Sequence, residues 1–266
     1  AEKPLRDYTK VIQYCDEVKA DGFDLVDDFS DLFGMNAAGT DAKMRNTKES
    51  ILEAQFTSGA GNWCTWMFGR DLVNWNNNFT WAKWVTPSRD LISAFKQEGD
   101  EVRFKESIVY YDCNWSNYYP SDNYPFMYKC RSANSSIIKY RYADVLLLKA
   151  EALIMQDTPD LEGAADIIDK VRDRAKLGAL PTSVRSNKNV LLNALLKERR
   201  LELAFEGQRW FDLVRLDKVE EVMNAVYSKD SGRKAQIYTF DKNSYRLPIP
   251  QSVIDANDKI HQNPGY

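Results

Sequence analysis

KERRLELAFEGQRWFDLVRLD, residues 197–217, decides how the chain is read. Leu192, Leu195, Leu196 and Leu203 fall near helical spacing, so the helix leading into this stretch has one apolar face. Ten of its 21 residues are charged. Glu198, Glu202 and Glu206 alternate with Arg199, Arg200, Arg209 and Arg215, and Arg209, Asp212 and Arg215 lie three apart, within reach of one another along a helix. Gly207 stands where a helix stops or bends, and Trp210, Phe211 and Leu213 follow. The pattern predicts two helices meeting at a corner with the aromatics turned inward. The carboxylates admit two readings, an acid–base pair of the kind that cleaves glycosidic bonds or a structural ion-pair network. A basic neighbour within a turn of each acid favours the network.

Working outward, residues 137–156 are apolar nearly all round (Val145, Leu146, Leu147, Leu148, Leu153, Ile154), the pattern of a buried helix. Residues 161–177 place Ala164, Ile168, Val171 and Ala175 on one face, with Asp160 as N-cap and Gly178 as the stop. Together they predict two antiparallel helices joined by a short turn, a tetratricopeptide-like unit. DYTKVIQYCDEVK, residues 7–19, is amphipathic and must bury its stripe on a partner, with Cys15 as a small buried hydrophobe. Pro87 and Ser88 start a further helix with Leu91, Ile92 and Phe95 as its stripe and Gly99 as its end. Asp100 and Arg103 follow, and the whole segment PSRDLISAFKQEGDEVRFKESIV, residues 87–109, reads as scaffold. Residues 48–58 read as a short extended segment, 182–189 as a polar link, and 219–236 as a helix and a basic loop. Pro248, Pro250 and Pro264 predict a tail running extended over the ion-pair corner.

The 197–217 run resembles the C-terminal signature of the SusD/RagB family, the surface-exposed nutrient-binding lipoproteins of Bacteroidetes that work beside a SusC-type TonB-dependent transporter. IIKYRYADVLLLKAEAL (137–153), VRDRAKLGALP (171–181) and YRLPIPQSVIDANDKIHQNPGY (245–266) resemble the same family in the same order. The resemblance implies a mainly α fold of tetratricopeptide-like helix pairs, with a loop-rich irregular subdomain and few short strands. It also implies a cell-surface, outer-membrane location, held by lipid on an N-terminal cysteine that is not in this chain. Residues 7–19 resemble the second helix of a repeat, and members are about twice this long, so the N-terminal half is expected to be missing. The expected division is 1–58, the end of a repeat plus an extended segment; 59–136, a ligand-binding region; and 137–266, a C-terminal repeat, ion-pair corner and tail.

A chain of 266 residues can bury a real core in one or two domains. Its net charge of −3 argues against a nucleic-acid partner. Four scattered cysteines, Cys15, Cys64, Cys113 and Cys130, do not form a disulfide scaffold or a zinc pattern, although a Cys113–Cys130 bridge stays open. With His261 as the single histidine, a Ser/His/Asp or Cys/His centre is disfavoured, and no cofactor or metal is expected.

Residues 59–136 differ in composition from everything around them. Six of the seven tryptophans lie here, with Tyr110, Tyr111, Tyr118, Tyr119, Tyr124 and Tyr128, among polar residues that include Asn62, Asn76, Asn77, Asn78, Asn114 and Asn117. A sugar ring presents an apolar face of C–H groups and a rim of hydroxyls, which aromatic rings and amide or carboxylate side chains respectively satisfy. The expected stacking platforms are Trp63, Trp66, Trp75, Trp81 and Trp115, with Arg70, Asp71 and Asn74 as hydroxyl partners. The function expected is non-enzymatic capture of a glycan and its delivery to the transporter. The alternatives are a glycoside hydrolase whose acids lie among Glu198, Glu202, Glu206, Asp71 and Asp212, a peptide-binding relative, and a helical-repeat adaptor whose aromatics are all core.

Overall fold

The computed structural model describes residues 5–57, 59–62, 85–230 and 239–266. Trp63, Trp66, Arg70, Asp71, Asn74, Trp75 and Trp81, together with Cys64, Arg233 and Lys234, lie outside the described residues. In chain order the elements are α1 (Tyr8–Ala20), α2 (Ser30–Phe33), β1 (Ser50–Ala54), α3 (Arg89–Glu98), α4 (Glu101–Ser107), β2 (Ile108–Tyr111), β3 (Tyr124–Met127) and β4 (Ile137–Arg141). Then come α5 (Tyr142–Met155), α6 (Leu161–Arg174), α7 (Thr182–Arg185), α8 (Lys188–Glu202), α9 (Arg209–Arg215), α10 (Val219–Lys229), a 3-10 turn (Lys242–Tyr245) and α11 (Gln251–Asp255). The fold is mainly helical with few short strands, and it divides into two compact units, residues 1–207 and 208–266.

The core of the first unit is the packing of α5, α6 and α8. Ala143, Leu147, Ala150 and Ile154 of α5 meet Ala164, Ala165, Ile168 and Val171 of α6 and Leu191 and Leu195 of α8, all of them closed to solvent. Small residues at Ala143, Ala150, Ala164 and Ala165 let the backbones approach, and the large aliphatics fill the space between them. Truncating Leu147 to alanine there would cost about 2–5 kcal/mol. Asp160 caps α6 through Gly163 N at 2.9 Å, as expected, and a short link joins α5 to α6. On the far side α1 packs on α5, and the Cys15 thiol, buried, donates to Val145 O at 3.4 Å. Burial pushes that thiol up to about 11.

Several boundaries differ from the sequence reading, each for a local reason. The helix expected over 137–156 begins only at Tyr142, because Ile137 and Ile138 join a strand, β4, that pairs antiparallel with β1. Helix α6 stops at Arg174, ahead of Gly178, with Lys176 taking the left-handed conformation (φ 61°). The 182–189 link contains the single turn α7. The tail is not wholly extended: Pro250, whose fixed φ suits a helix start, leads into α11. In the second unit, Phe211 is 64% exposed rather than turned inward, while Leu213 is buried and Trp210 packs on Phe240. Cys113 and Cys130 are both buried and are not bridged to one another.

Candidate functional site: an aromatic hairpin wall beside a buried charge network

Helix α3 starts where predicted. Ser88 Oγ accepts from Leu91 N at 3.1 Å, and Gly99, at φ 67°, closes the other end. Asp100 then caps α4 and simultaneously holds the Arg103 side chain, and α4 runs straight into β2. Strands β2 and β3 pair antiparallel from Ile108↔Met127 to Tyr111↔Tyr124. The residues between them, 112–123, form a folded-back connection tied by Cys113 N to Ser121 O at 2.6 Å.

This connection encloses an open concavity of about 740 Å³ lined by Trp115, Tyr118, Tyr119, Asn114, Asn117 and Arg89, among others. Its foundation is apolar and closed: Cys113, Tyr124 and Phe126 are buried beneath it. Trp115 packs on Phe126 at 6.1 Å between ring centroids, and Tyr119 meets Tyr118 and Tyr124 edge-on at 5.0 and 5.6 Å. Tyr119 OH donates to Pro87 O at 2.7 Å, which fastens the connection to the start of α3. Above that foundation Trp115, Tyr118 and Tyr119 are only half-buried, and Asn114, Asn117 and Ser121 are exposed. The Arg89 guanidinium, on the first residue of α3, stacks at 4.5 and 4.2 Å from the centroids of Tyr118 and Tyr119 and donates to Tyr118 O. The wall therefore brings half-buried rings, amides, hydroxyls and a planar cation to one opening.

The glutamates of the opening motif occupy the opposite kind of environment. Glu198 and Glu202 project from α8. The turn after α8 then carries Phe205 and Gly207 at positive φ (66° and 82°), a conformation that favours glycine and is unusual for a bulky residue. That turn brings Glu206 back toward Arg141, which donates Nε to its Oε2 at 2.7 Å, and Lys129, which donates to Oε1 at 2.6 Å. Arg103 bridges Asp100 (2.6 Å), Glu198 (2.6 Å) and Glu202 (3.0 Å). Arg141 also meets Glu49 at 2.7 Å, and Arg174 pairs with both Glu49 and Glu202. Phe29 roofs the cluster, with the Arg174 and Lys129 cations 5.1 and 5.3 Å from its centroid.

Burial alone raises the Glu202 carboxyl, but Arg174, Arg141 and Arg103 overturn this and hold it well below the usual carboxylate range. Glu206 is likewise held low by Arg141 and Lys129 against its burial. Glu198 and Asp100 go the other way, raised by burial in spite of Arg103. Lys129 is pushed down to about 8 by burial, against the pull of Glu206.

A raised and a lowered carboxyl side by side resemble an acid and a base, yet Glu198 and Glu202 are closed to solvent. Glu206 reaches a small cavity of about 330 Å³ beside Phe33 and Phe205, but its carboxylate is already committed to Arg141 and Lys129. Asp212 is buried and paired with Arg215 at 2.8 Å, a partner three residues along the helix as the sequence predicts.

The network's partners correct the sequence reading in one respect. Local pairing does not hold it together: Arg199 reaches Asp144 and Arg200 reaches Asp90, while the glutamates take Arg103, Arg141 and Arg174 from elements far along the chain. Of the proposed stacking residues, Trp115 lies on the wall. Asn62, part of the wider polar cluster, is instead buried structure, donating to Ser132 O, Ala133 O and Ser135 O. Arg89, assigned by sequence to scaffold, stands at the opening. Nothing local in PSRDLIS marks it, because tertiary folding of the β2–β3 connection puts two tyrosine rings beside it.

The SusD family model matches residues 120–266, more than half of the chain. The chain belongs to the SusD family. Among curated proteins, SusD-like protein P38 of Formosa agariphila is 43% identical over 99 residues, which is 35% of this chain and 19% of that protein. SusD-like protein P2 of the same organism is 36% identical over 143 residues, 51% of this chain and 27% of that protein. Among solved structures, surface glycan-binding protein A from Bacteroides thetaiotaomicron in complex with laminarihexaose superposes with a TM-score of 0.69 at 20% identity. The superposition covers 96% of this chain and 59% of that one. Bacteroides fragilis NanU superposes with a TM-score of 0.65 at 22% identity, over 97% and 58% of the two chains. At those identities the structural matches establish the SusD fold, and they extend it beyond the segment that the family model covers.

Proposed function

We propose that this SusD-family chain belongs to a non-enzymatic, lipid-held cell-surface protein that captures an oligosaccharide or polysaccharide and delivers it to a SusC-type TonB-dependent outer-membrane transporter. The observation that carries the reading is the β2–β3 wall, where half-buried Trp115, Tyr118 and Tyr119 stand among exposed Asn114, Asn117 and Ser121 over a closed aromatic foundation. Half-buried rings braced from behind have little freedom left to lose, and the surrounding amides and hydroxyls suit a sugar's rim. The fold shared with a surface glycan-binding protein whose structure contains laminarihexaose supports the same reading. Trp63, Trp66, Trp75 and Trp81, with Arg70, Asp71 and Asn74, extend the same composition along the chain and complete the proposed ligand set.

Titration of the chain with a panel of oligosaccharides, followed by tryptophan fluorescence and by a reducing-end assay on the same samples, tests this. The expected result is a saturable fluorescence change with at least one glycan and no growth of reducing ends. Release of reducing ends, or no response to any glycan, would overturn it. Recovery of a TonB-dependent barrel with the protein from detergent-solubilised outer membranes is the expected outcome for the transporter.

A further inference from the structure

A path of hydroxyl groups pins the 112–123 connection from beneath. Tyr124, the first residue of β3, is 2% exposed, and its ring is wedged between Phe126 and Tyr119 at 5.3 and 5.6 Å between centroids. Its hydroxyl lies 3.2 Å from Thr86 Oγ1 and 3.1 Å from Ser116 Oγ. A phenol carries one O–H donor and two lone pairs, so it can bond both hydroxyls at once. Ser116 Oγ in turn accepts from Tyr118 N at 3.3 Å. The path therefore runs from the segment ahead of α3, through a closed phenol, to the peptide of Tyr118, whose half-buried ring stands at the opening. Thr86 and Tyr124 are 38 residues apart, so it closes only once β3 is in place.

Resting on the glycan-binding reading, we infer that Tyr124 is a positioning residue of the wall: its hydroxyl holds Ser116, and through it Tyr118, in the setting in which they meet a sugar. Neither Tyr124 nor Thr86 lines the opening. Their contribution is preorganisation, because a connection already held in place does not have to be ordered when the glycan arrives.

The test is calorimetric titration of the 266-residue chain and its variants with laminarihexaose, maltohexaose, cellohexaose and mannohexaose. For each hexasaccharide that the parent binds, Tyr124→Phe should weaken affinity about threefold to tenfold, the factor one hydrogen bond supplies. Thr86→Val should weaken it in the same direction, and Thr86→Ser, which keeps the hydroxyl, should recover most of that loss. Because both changes cut one path, the double variant Tyr124→Phe/Thr86→Val should bind no more weakly than Tyr124→Phe alone. Ile168→Val, in the α5–α6–α8 core, lowers stability and should leave affinity at the parent value, which separates positioning from a general loss of stability. Parent affinity in Tyr124→Phe and Thr86→Val, losses that multiply in the double variant, or an equal loss in Ile168→Val would overturn the inference while leaving the glycan-binding reading intact. If Tyr124→Phe does not fold, the Thr86 pair decides: a loss in Thr86→Val that Thr86→Ser recovers supports the inference, and equal affinity of the two overturns it. Failure of every hexasaccharide to bind the parent chain would overturn both.

Discussion

The interior network and the hairpin wall both place arginine beside aromatic rings, and they use it in opposite ways. In the interior, Arg103, Arg141 and Arg174 lie among Glu49, Asp100, Glu198, Glu202 and Glu206, almost all of them closed to water, with Phe29 as a lid. At the wall, Arg89 stacks on two tyrosines at an opening whose other described lining residues carry no formal charge. An arginine surrounded by matched carboxylates binds one part of the chain to another. One stacked on rings at an opening instead braces the aromatic connection against the start of α3. Residue type alone does not separate these roles; burial does.

The comparison breaks most severely in the interior. Glu202→Ala removes one acid from between three arginines and should lower the unfolding free energy by about 3–5 kcal/mol, the range for breaking a buried pair. Urea titration checks this, and a loss below about 1 kcal/mol would mean that the cluster is open to solvent. The pH dependence follows from the same residue. A carboxyl held below its unfolded value of about 4.3 contributes stability that is complete above that value and is lost as pH falls through the folded one. Glu202 and Glu206 are such groups. Glu198 and Asp100, raised by burial, contribute in the reverse sense, with stability present at acid pH and lost as pH rises through their folded values. Glu202→Gln should therefore cost less at pH 3 than at pH 7, and unfolding at the two pH values measures the difference.

At the wall the effects are smaller and fall on binding. Tyr118→Ala should weaken glycan affinity about tenfold, as loss of a ring contact does, while far-ultraviolet circular dichroism stays that of the parent. If helical content falls together with affinity, the ring is core and the wall is not a site. Phe211→Ala should change unfolding free energy by no more than about 0.5 kcal/mol, since the ring is 64% exposed. A larger loss would restore the inward orientation read from the sequence.

What was legible in the sequence follows the range of the forces involved. Local rules found the Ser88 and Gly99 ends of α3, the Asp160 cap of α6 and the apolar faces of α5 and α8, because capping and periodicity act within a few residues. They also found that Glu198, Glu202 and Glu206 are structural. They misassigned the partners: Arg103 lies 95 positions from Glu198, and Arg141 lies 61 from Glu202. Ile137 and Ile138 were absorbed into a helix because an apolar run reads alike as helix or buried strand until a partner such as β1 is known. Trp115 was legible as an aromatic among amides. Arg89 was not, since its meeting with Tyr118 and Tyr119 spans 29 residues and a β-hairpin.

Hydroxyl-radical footprinting of the chain, with and without a glycan that gives a fluorescence response, tests the contrast between wall and interior most directly. The account predicts protection of Trp115, Tyr118 and Tyr119, with oxidation of the segment around Glu198 to Glu206 unchanged by ligand. Protection confined to that glutamate segment, with the three rings equally oxidised in both samples, would contradict it.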